Sequence, residues 1–189
     1  FRVLREVRLR DLPRMSVLVG PNGSGKSTLF DVFGFLKDSL VHNVQNALAR
    51  RGGFQEVVSR GTEGPIKVEI KFREKDGPLV TYLLSIGQEG GHAVVEQELL
   101  KYRRGRQGRP WHFLDFKRGK GKTITNEEDY GKTNAEAQRE EQELDSPDIL
   151  AIKGLGQFQR FRVVSTFRKL IESWHVSDFH IEAARPSQE

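Results

Sequence analysis

The residues best suited to chemistry form a glycine-rich stretch that ends in a lysine and a serine. The stretch is Gly20-Pro21-Asn22-Gly23-Ser24-Gly25-Lys26-Ser27, which has the form Gly-x4-Gly-Lys-Ser. Glycines let the backbone curve around an anion, so that successive N–H groups point inward. A lysine at the end of the curve adds a mobile positive charge. The pattern predicts a loop that binds the phosphates of a nucleotide.

Each side chain of this loop has an expected role. Lys26, which we assign as the catalytic residue, supplies the cation for the β- and γ-phosphates, and the Ser27 hydroxyl is a ligand for Mg²⁺. Thr28 reaches the α-phosphate. The predicted cofactors are therefore ATP, or a closely related nucleoside triphosphate, and Mg²⁺. The residues predicted to bind the nucleotide in this loop are Asn22, Gly23, Ser24, Gly25, Lys26, Ser27 and Thr28.

The flanking residues predict the elements that would position the loop. Residues 1–9 alternate apolar and charged side chains, and residues 15–19 are a short β-rich run, so we expect a half-buried strand followed by a buried central strand. From Lys26 onward apolar residues recur every three or four positions, which predicts one amphipathic helix to about Arg50. Strand, loop and helix thus follow in the order that a phosphate loop requires.

The middle of the chain has the period of strands. Alternation over residues 66–72, glycine-containing turns and further β-like runs predict an antiparallel meander from about Ile66 to Thr125. Residues 126–145 are polar and aperiodic, which indicates an exposed loop or a solvent-facing helix. Ser146-Pro147-Asp148 is a typical helix start, and apolar spacing from Phe158 to Trp174 predicts a second amphipathic helix. Residues 176–181 are a candidate closing strand.

These elements predict an α/β protein with one substantial core in its 189 residues. We divide it into a strand–helix unit carrying the phosphate loop (1–61), an antiparallel β subdomain (62–126), a polar loop (127–145) and a helical part (146–189). The chain has no cysteine, which excludes disulfides and thiolate metal sites and fits a cytoplasmic protein. No apolar run approaches the roughly 18 residues of a membrane span.

The net charge of +5 is the sum over a chain that contains two adjacent segments of opposite charge. Residues 101–122 are strongly basic, and residues 127–148 are strongly acidic. Clustered lysines and arginines, with aromatic residues among them, are typical of nucleic-acid contact. The same residues also fit the solvated face of a sheet, or charges that pair with the acidic segment.

The residue sequence of the loop resembles that of one protein family. After a predicted strand that follows an Arg-rich N-terminal segment, the loop has the sequence Pro21-Asn22-Gly23-Ser24-Gly25-Lys26-Ser27-Thr28-Leu29. This arrangement resembles the ATP-binding-cassette heads of the RecF/SMC-like group, specifically the AAA-type predicted ATPases of bacteria. Residues 53–61 and 66–72 resemble the passage from the first helix into the antiparallel sheet of these proteins. Residues 146–179 resemble the helical part that follows.

The resemblance implies more than the loop. Such heads have a second half with a signature helix beginning near Leu-Ser-Gly-Gly, a Walker B strand ending in Asp-Glu, and a switch histidine, so we expect a missing C-terminal half. It also implies an ATP-dependent homodimer that sandwiches two nucleotides, with DNA or an effector protein as partner and a role in DNA-related processes or defence. A glutamine near the γ-phosphate is expected between the lobes, and Gln157 is the candidate.

Two segments imitate the expected motifs. Residues 84–89 resemble a signature motif, but they end a β-like run and precede Gly90-Gly91, whereas a real signature begins a helix. Residues 111–115 resemble a Walker B strand, but Phe116 follows Asp115 where an acid is needed. We interpret both as coincidences. Arg10 and Arg14 are interpreted as exposed turn residues, in preference to residues that contact the adenine or a phosphate.

Other functions remain open on the sequence. One alternative is an ATP-gated dimerisation clamp, in which binding rather than hydrolysis closes a dimer. A transporter cassette is less favoured because no convincing signature is present. A small-molecule kinase would need an arginine-rich lid, which residues 103–109 could imitate. A GTPase is least favoured because the chain has no Asn-Lys-x-Asp pattern.

Overall fold

The computed structural model describes residues 1–13, 15–59, 61–73, 79–103, 110–125, 138–158 and 160–175. Within them the chain forms five helices and six strands. The helices are α1 (Lys26–Val41), α2 (Val44–Ala49), α3 (Phe54–Val57), α4 (Ala151–Leu155) and α5 (Arg162–Glu172). The strands are β1 (Ile66–Arg73), β2 (Leu79–Glu89), β3 (His92–Arg103), β4 (Pro110–Lys117), β5 (Lys120–Ile124) and β6 (Arg139–Glu143).

The strands form one antiparallel sheet in chain order, from β1 at one edge to β6 at the other. Alternation of the side chains is clearest in β2, where buried residues at every second position from Val80 to Ile86 form the face that packs into the core. Gly90 and Gly91, with φ of 56° and 85°, make the tight turn between β2 and β3. Left-handed φ values favour glycine. The predicted meander from about Ile66 to Thr125 is confirmed.

β6 corrects the prediction of a polar loop over 127–145. Residues 139–143 pair with β5 in an antiparallel register. Lys120 lies opposite Glu143, and Lys122 lies opposite Glu141, each pair with an N–O distance of 2.9 Å. Cross-strand charge pairs rather than apolar contacts accompany this strand, so it lacks the hydrophobic alternation by which strands are recognised. Residues 126–137 lie outside the described part, and the overall domain division stays a prediction.

The helices pack on one face of the sheet and close the core. α1 contributes the buried residues Phe35, Leu36 and Leu40, and α1 contacts both α2 and α5. α5 joins the sheet through Phe167, whose ring centroid lies 4.5 Å from that of Tyr82. In the described part of the chain, no helix has both the length and the apolar character needed to cross a membrane.

The single helix predicted to run from Lys26 to about Arg50 is wrong, because it divides into α1 and α2. Asn43 between them is extended, with φ −164° and ψ 174°, and its side chain accepts a hydrogen bond from the Asn46 backbone N–H. Asparagine is among the best N-terminal caps, so it starts a new helix here. The apolar spacing continues through Leu40 and Val44 on both sides of the break, which explains why periodicity does not detect it.

The helical region near the end also differs from expectation. Ser146 does not cap a helix; its hydroxyl bonds the Asp148 carboxylate, and α4 begins only at Ala151. α5 then starts at Arg162, so the predicted helix from Phe158 begins later and ends at Glu172. The candidate closing strand at 176–181 lies outside the described residues.

Neither of the two strands predicted before the phosphate loop forms. Residues 1–9 and 15–19 have no strand pairing in the described structure. Met15, Val17 and Val19 are 80%, 73% and 90% exposed. A strand exists only where a neighbour pairs its backbone N–H and C=O groups, and the six described strands pair among themselves. The prediction of a buried central strand is therefore wrong for this structure.

A buried carboxyl group connects the sheet to α4. Glu98 on β3 is fully buried, and its side chain accepts hydrogen bonds from the Ala151 and Ile152 backbone N–H groups and from the Tyr82 hydroxyl. It takes the place of a missing side-chain cap on α4. Burial raises the pKa of Glu98 from 4.5 to about 7, and the three hydrogen bonds oppose that rise.

This geometry predicts a pH-dependent stability. Because the folded pKa lies above the unfolded one, the contribution of Glu98 is complete below pH 4.5 and is lost as the pH rises to about 7. The shift corresponds to about 3 kcal/mol. We expect the free energy of unfolding of the wild type, minus that of Glu98→Gln, to fall by about this amount between about pH 4 and about pH 8, as measured by urea denaturation.

The control is Glu96→Gln on the same strand. It removes a half-buried carboxylate, which accepts a hydrogen bond from the Ser85 hydroxyl. That variant keeps the Glu98 carboxyl. Its free energy of unfolding, minus that of Glu98→Gln, should therefore also fall as the pH rises. Comparing slopes rather than absolute stabilities allows for the hydrogen bond that a glutamine amide loses against the two backbone N–H groups. A difference between wild type and Glu98→Gln that stays flat with pH would contradict the prediction.

Candidate functional site

The predicted phosphate loop lies directly before α1 and has the backbone shape that its glycines allow. Gly23 and Gly25 have φ of 81° and 93°, values that residues with a Cβ rarely adopt. Ser24 N–H donates to the Pro21 carbonyl at 3.3 Å and closes the turn. Gly25 is the N-terminal cap position of α1, and no side chain bonds there. The first turn of α1 therefore presents backbone N–H groups that an anion can bind.

Lys26 is held over its own loop. Its Nζ donates to the Gly20 carbonyl at 2.6 Å and the Pro21 carbonyl at 2.7 Å, and lies 3.3 Å from the Ser24 hydroxyl. The ammonium thus lies against the loop backbone between Gly20 and Ser24, where a phosphate group bound to the loop could contact it. Because these partners are neutral oxygens, a phosphate oxygen that replaced them would add a negative charge on the acceptor side and strengthen the hydrogen bond. The donors present fit a polyphosphate.

A cavity of about 430 Å³ opens beside the loop and along α1. Ser27 and Thr28 line it at the end next to the loop, and the other lining residues are all charged. They are Arg2, Asp31, Asp38, Arg50 and Arg51. Ser27 is exposed, so its hydroxyl is accessible to an ion.

The N-terminal residues cover one side of the loop. A Cβ on Gly25 would lie 2.6 Å from Leu4 Cδ2 and 3.2 Å from Val3 Cγ2. Arg2 N–H donates to the Val57 carbonyl at 2.6 Å, which fixes this turn to α3. Residues that were predicted to form a strand instead pack against the phosphate loop.

The structure brings seven of the predicted binding residues together and separates the eighth. Asn22, Gly23, Ser24, Gly25, Lys26, Ser27 and Thr28 form one continuous loop and helix start. Gln157 lies in the turn after α4, is exposed, and donates to the Lys153 carbonyl at 3.3 Å. It does not line the cavity beside Ser27. Its assignment to the γ-phosphate stays a prediction.

The two segments that imitate other motifs lie in the sheet. Residues 84–89 belong to β2 and residues 111–115 belong to β4, both in the antiparallel meander. Leu84 begins no helix, and the Asp115 carboxylate accepts from the Gln97 amide and lies 3.8 Å from His112. Both features fit the interpretation as coincidences. Arg10 is an exposed residue, and Arg14 lies outside the described residues.

The basic stretch is partly neutralised by acidic partners. Lys120 and Lys122 pair with β6, and Arg118 lies 2.7 Å from Glu89. These pairs are exposed and individually worth little, but they reduce the positive charge available to a phosphate backbone. The alternative that the two charged segments pair with each other is therefore observed for β5 and β6. Residues 104–109 lie outside the described part.

Sequence patterns did not identify the charged network beside the loop. Arg51 bonds Asp31 and Asp38, which lie seven residues apart on one face of α1, and Arg2 also pairs with Asp31. The only signal in the sequence is the spacing of the two aspartates, which places them on the same side of the helix. Nothing local indicates which arginine pairs with them, because Arg51 is 20 residues from Asp31.

The two loop glycines predict different costs on substitution. Gly23→Ala should lose about 1 kcal/mol of unfolding free energy, because alanine is strained at φ 81° while nothing lies within 4 Å of its Cβ. Gly25→Ala should lose about 1 kcal/mol more, because Leu4 must also leave the loop. Urea denaturation measures both. In a Leu4→Ala background the difference should shrink, and an unchanged difference would refute the Leu4 contact.

Comparison with known proteins identifies the family. Residues 15–188 match the family model described as "AAA domain, putative AbiEii toxin, Type IV TA system". No curated protein and no solved structure shows a significant match. The match includes the whole phosphate loop and implies the fold of phosphate-loop nucleoside triphosphatases. The chain belongs to this family of AAA-type ATPase domains.

Proposed function

We propose that this protein binds ATP with Mg²⁺ at residues 20–28 and hydrolyses ATP within a complete ATPase head. The observation that carries the proposal is the uncapped start of α1 behind two glycines of positive φ, with the Lys26 ammonium over the curve. A helix N-terminus with free N–H groups binds anions, and a lysine beside it adds a full positive charge. Membership of the AAA-type family supports ATP as the ligand.

Each loop residue has a defined share in this proposal. The backbone N–H groups from Gly23 to Thr28 bind the phosphates, and Lys26 exchanges its carbonyl partners for the β- and γ-phosphate oxygens. The Ser27 hydroxyl is the protein ligand of Mg²⁺, an ion that takes few protein ligands and retains several waters. When bound, the ion neutralises charge that develops on the phosphates during transfer.

Replacement of the loop lysine should abolish tight binding. We expect Lys26→Ala to weaken Mg-ATP binding by about a hundredfold or more, because a charge-assisted hydrogen bond to phosphate is lost. Isothermal titration calorimetry with the folded 189-residue chain measures the dissociation constant.

Lys37→Ala is the matched control, since it removes the same charge from the same helix. Its Nζ donates to the Trp174 carbonyl at 2.8 Å and does not contact the loop. It should lower stability and leave the dissociation constant within about twofold. No uptake of Mg-ATP by the wild type, or equal loss in both variants, would overturn the proposal.

Hydrolysis needs a carboxylate that activates water, and among the described residues the two acids that line the cavity beside the loop are already paired. Asp31 and Asp38 line the cavity, and both pair with arginines. We therefore place the Walker B carboxylates, the signature helix and the switch histidine in the remainder of a complete head, as in RecF/SMC-like proteins. An ATP-dependent homodimer would complete each site with residues of the partner.

Turnover by the isolated chain should consequently be slow. We expect Mg-ATP binding with steady-state hydrolysis too slow to distinguish from a Lys26→Ala blank in a phosphate-release assay, because general-base help contributes about 10²–10⁴-fold. Robust hydrolysis that disappears in Lys26→Ala would show that this chain carries its own base. Repeating the assay on a complete head, with and without DNA and at several protein concentrations, tests the dimer and the DNA partner.

The wider role proposed is DNA-related work or defence. The family description names a putative AbiEii toxin of a Type IV TA system, which supports defence. The pairing of Arg118, Lys120 and Lys122 with glutamates weakens the case for DNA contact at that part of the sheet. An effector protein remains the other proposed partner.

A further inference from the structure

Arg51 makes three side-chain hydrogen bonds beside the phosphate loop. Its Nε donates to Asp31 Oδ1 at 2.8 Å, and its Nη1 donates to Asp38 Oδ2 at 2.7 Å and to the Ala47 carbonyl at 2.9 Å. The guanidinium also lies 5.6 Å from the centre of the Phe35 ring. Only 10% of the side chain is exposed. Salt screens a pair this shielded from water less than it screens a surface pair, and removal of one partner leaves a poorly solvated charge.

The backbone that carries Arg51 is itself fixed. Gly53 N–H donates to the Leu48 carbonyl at 2.8 Å, and Gly52 N–H donates to the Ala49 carbonyl at 3.2 Å. Both glycines have positive φ, near 90°, which is a common way to end a helix. The turn after α2 therefore holds Arg51 rigidly against the face of α1.

The two aspartates that Arg51 binds differ in their distance from the nucleotide loop. Asp31 is four residues after Ser27, one helical turn or about 6 Å along the axis, and lies on the same face. Asp38 is about 16 Å from Ser27 along the axis. Both aspartates line the cavity that Ser27 and Thr28 also line, so the two differ in their distance from Ser27 along α1 and not in access to the cavity. The Nε group of Arg51 thus contacts α1 near its N-terminus, at Asp31, and the Nη1 group contacts α1 near its C-terminus, at Asp38.

We propose that Arg51 and Asp31 are positioning residues for the phosphate-binding site. Their pair holds the first turn of α1 in the orientation in which Ser27, Thr28 and the backbone N–H groups bind a nucleoside triphosphate. The nucleotide's apparent affinity depends on the fraction of molecules in that orientation, because binding selects it. This inference rests on the proposed function of the same loop.

Arginine suits this role better than lysine. A planar guanidinium donates in two fixed directions, whereas an ammonium binds as a single point charge. Arg51→Lys should therefore keep the charge and lose one arm. Arg2 is a second cation on Asp31, at 3.2 Å, but it is 39% exposed, and Asp31 Oδ2 has no hydrogen bond of good geometry. Arg51 is the stronger partner.

The experiment compares the contact of Arg51 with Asp31 and its contact with Asp38. Asp31→Asn and Asp38→Asn each remove one carboxylate charge from α1 and keep a similar shape. We expect Asp31→Asn to weaken Mg-ATP binding by about tenfold in calorimetry, and Asp38→Asn by less than about twofold. Thermal melting without nucleotide should show similar losses of stability for both, because each breaks a bond to the same buried arginine.

Two further variants separate this proposal from its rivals. Arg51→Lys should weaken binding as Asp31→Asn does, and Arg2→Met should leave binding near the wild-type value. If Arg2→Met weakens binding and Arg51→Lys does not, Asp31 acts through Arg2 and the proposal is overturned. Equal effects of Asp31→Asn and Asp38→Asn on affinity would also overturn it, since they would indicate loss of stability alone. If the wild type fails to bind Mg-ATP, the proposed function itself fails.

Discussion

The site depends on a fixed helix N-terminus. Backbone N–H groups bind an anion only if they point to one place, so the helix that carries them has to be immobile relative to the loop. α1 meets this requirement through two kinds of contact. Phe35, Leu36 and Leu40 are buried in the core, and Asp31 and Asp38 bond Arg51. The apolar contacts hold the helix in the fold, and the ion pairs restrict how it can rotate and tilt.

The sheet and the helical layer are joined by a different polar contact. Glu98 has no cation as partner and is held instead by the N–H groups at the start of α4 and by Tyr82. A buried carboxyl in this setting is costly when ionised, and that cost raises its pKa. Arg51 and Glu98 thus illustrate two ways to bury a charged group, one by pairing it and the other by favouring its neutral form.

The differences from sequence expectation have separate physical causes. Apolar spacing predicted a single first helix, but a local cap at Asn43 ended the regularity without altering that spacing. β6 was missed because exposed charge pairs accompany it, with no apolar face. Residues 15–19 have the composition of a buried strand and remain exposed. Composition indicates what a segment would do with a neighbour, and only the fold supplies the neighbour.

By itself, the sequence determined the phosphate loop and the antiparallel meander. Glycine placement, the Lys26 cation and strand alternation are local properties, and each is expressed within a few residues of the chain. The tertiary structure alone decided that Arg51 binds Asp31 and Asp38, that Leu4 covers Gly25, and that Glu98 caps α4. These contacts join residues that are 13 to 54 positions apart. Their formation follows from how the layers pack, which no short pattern encodes.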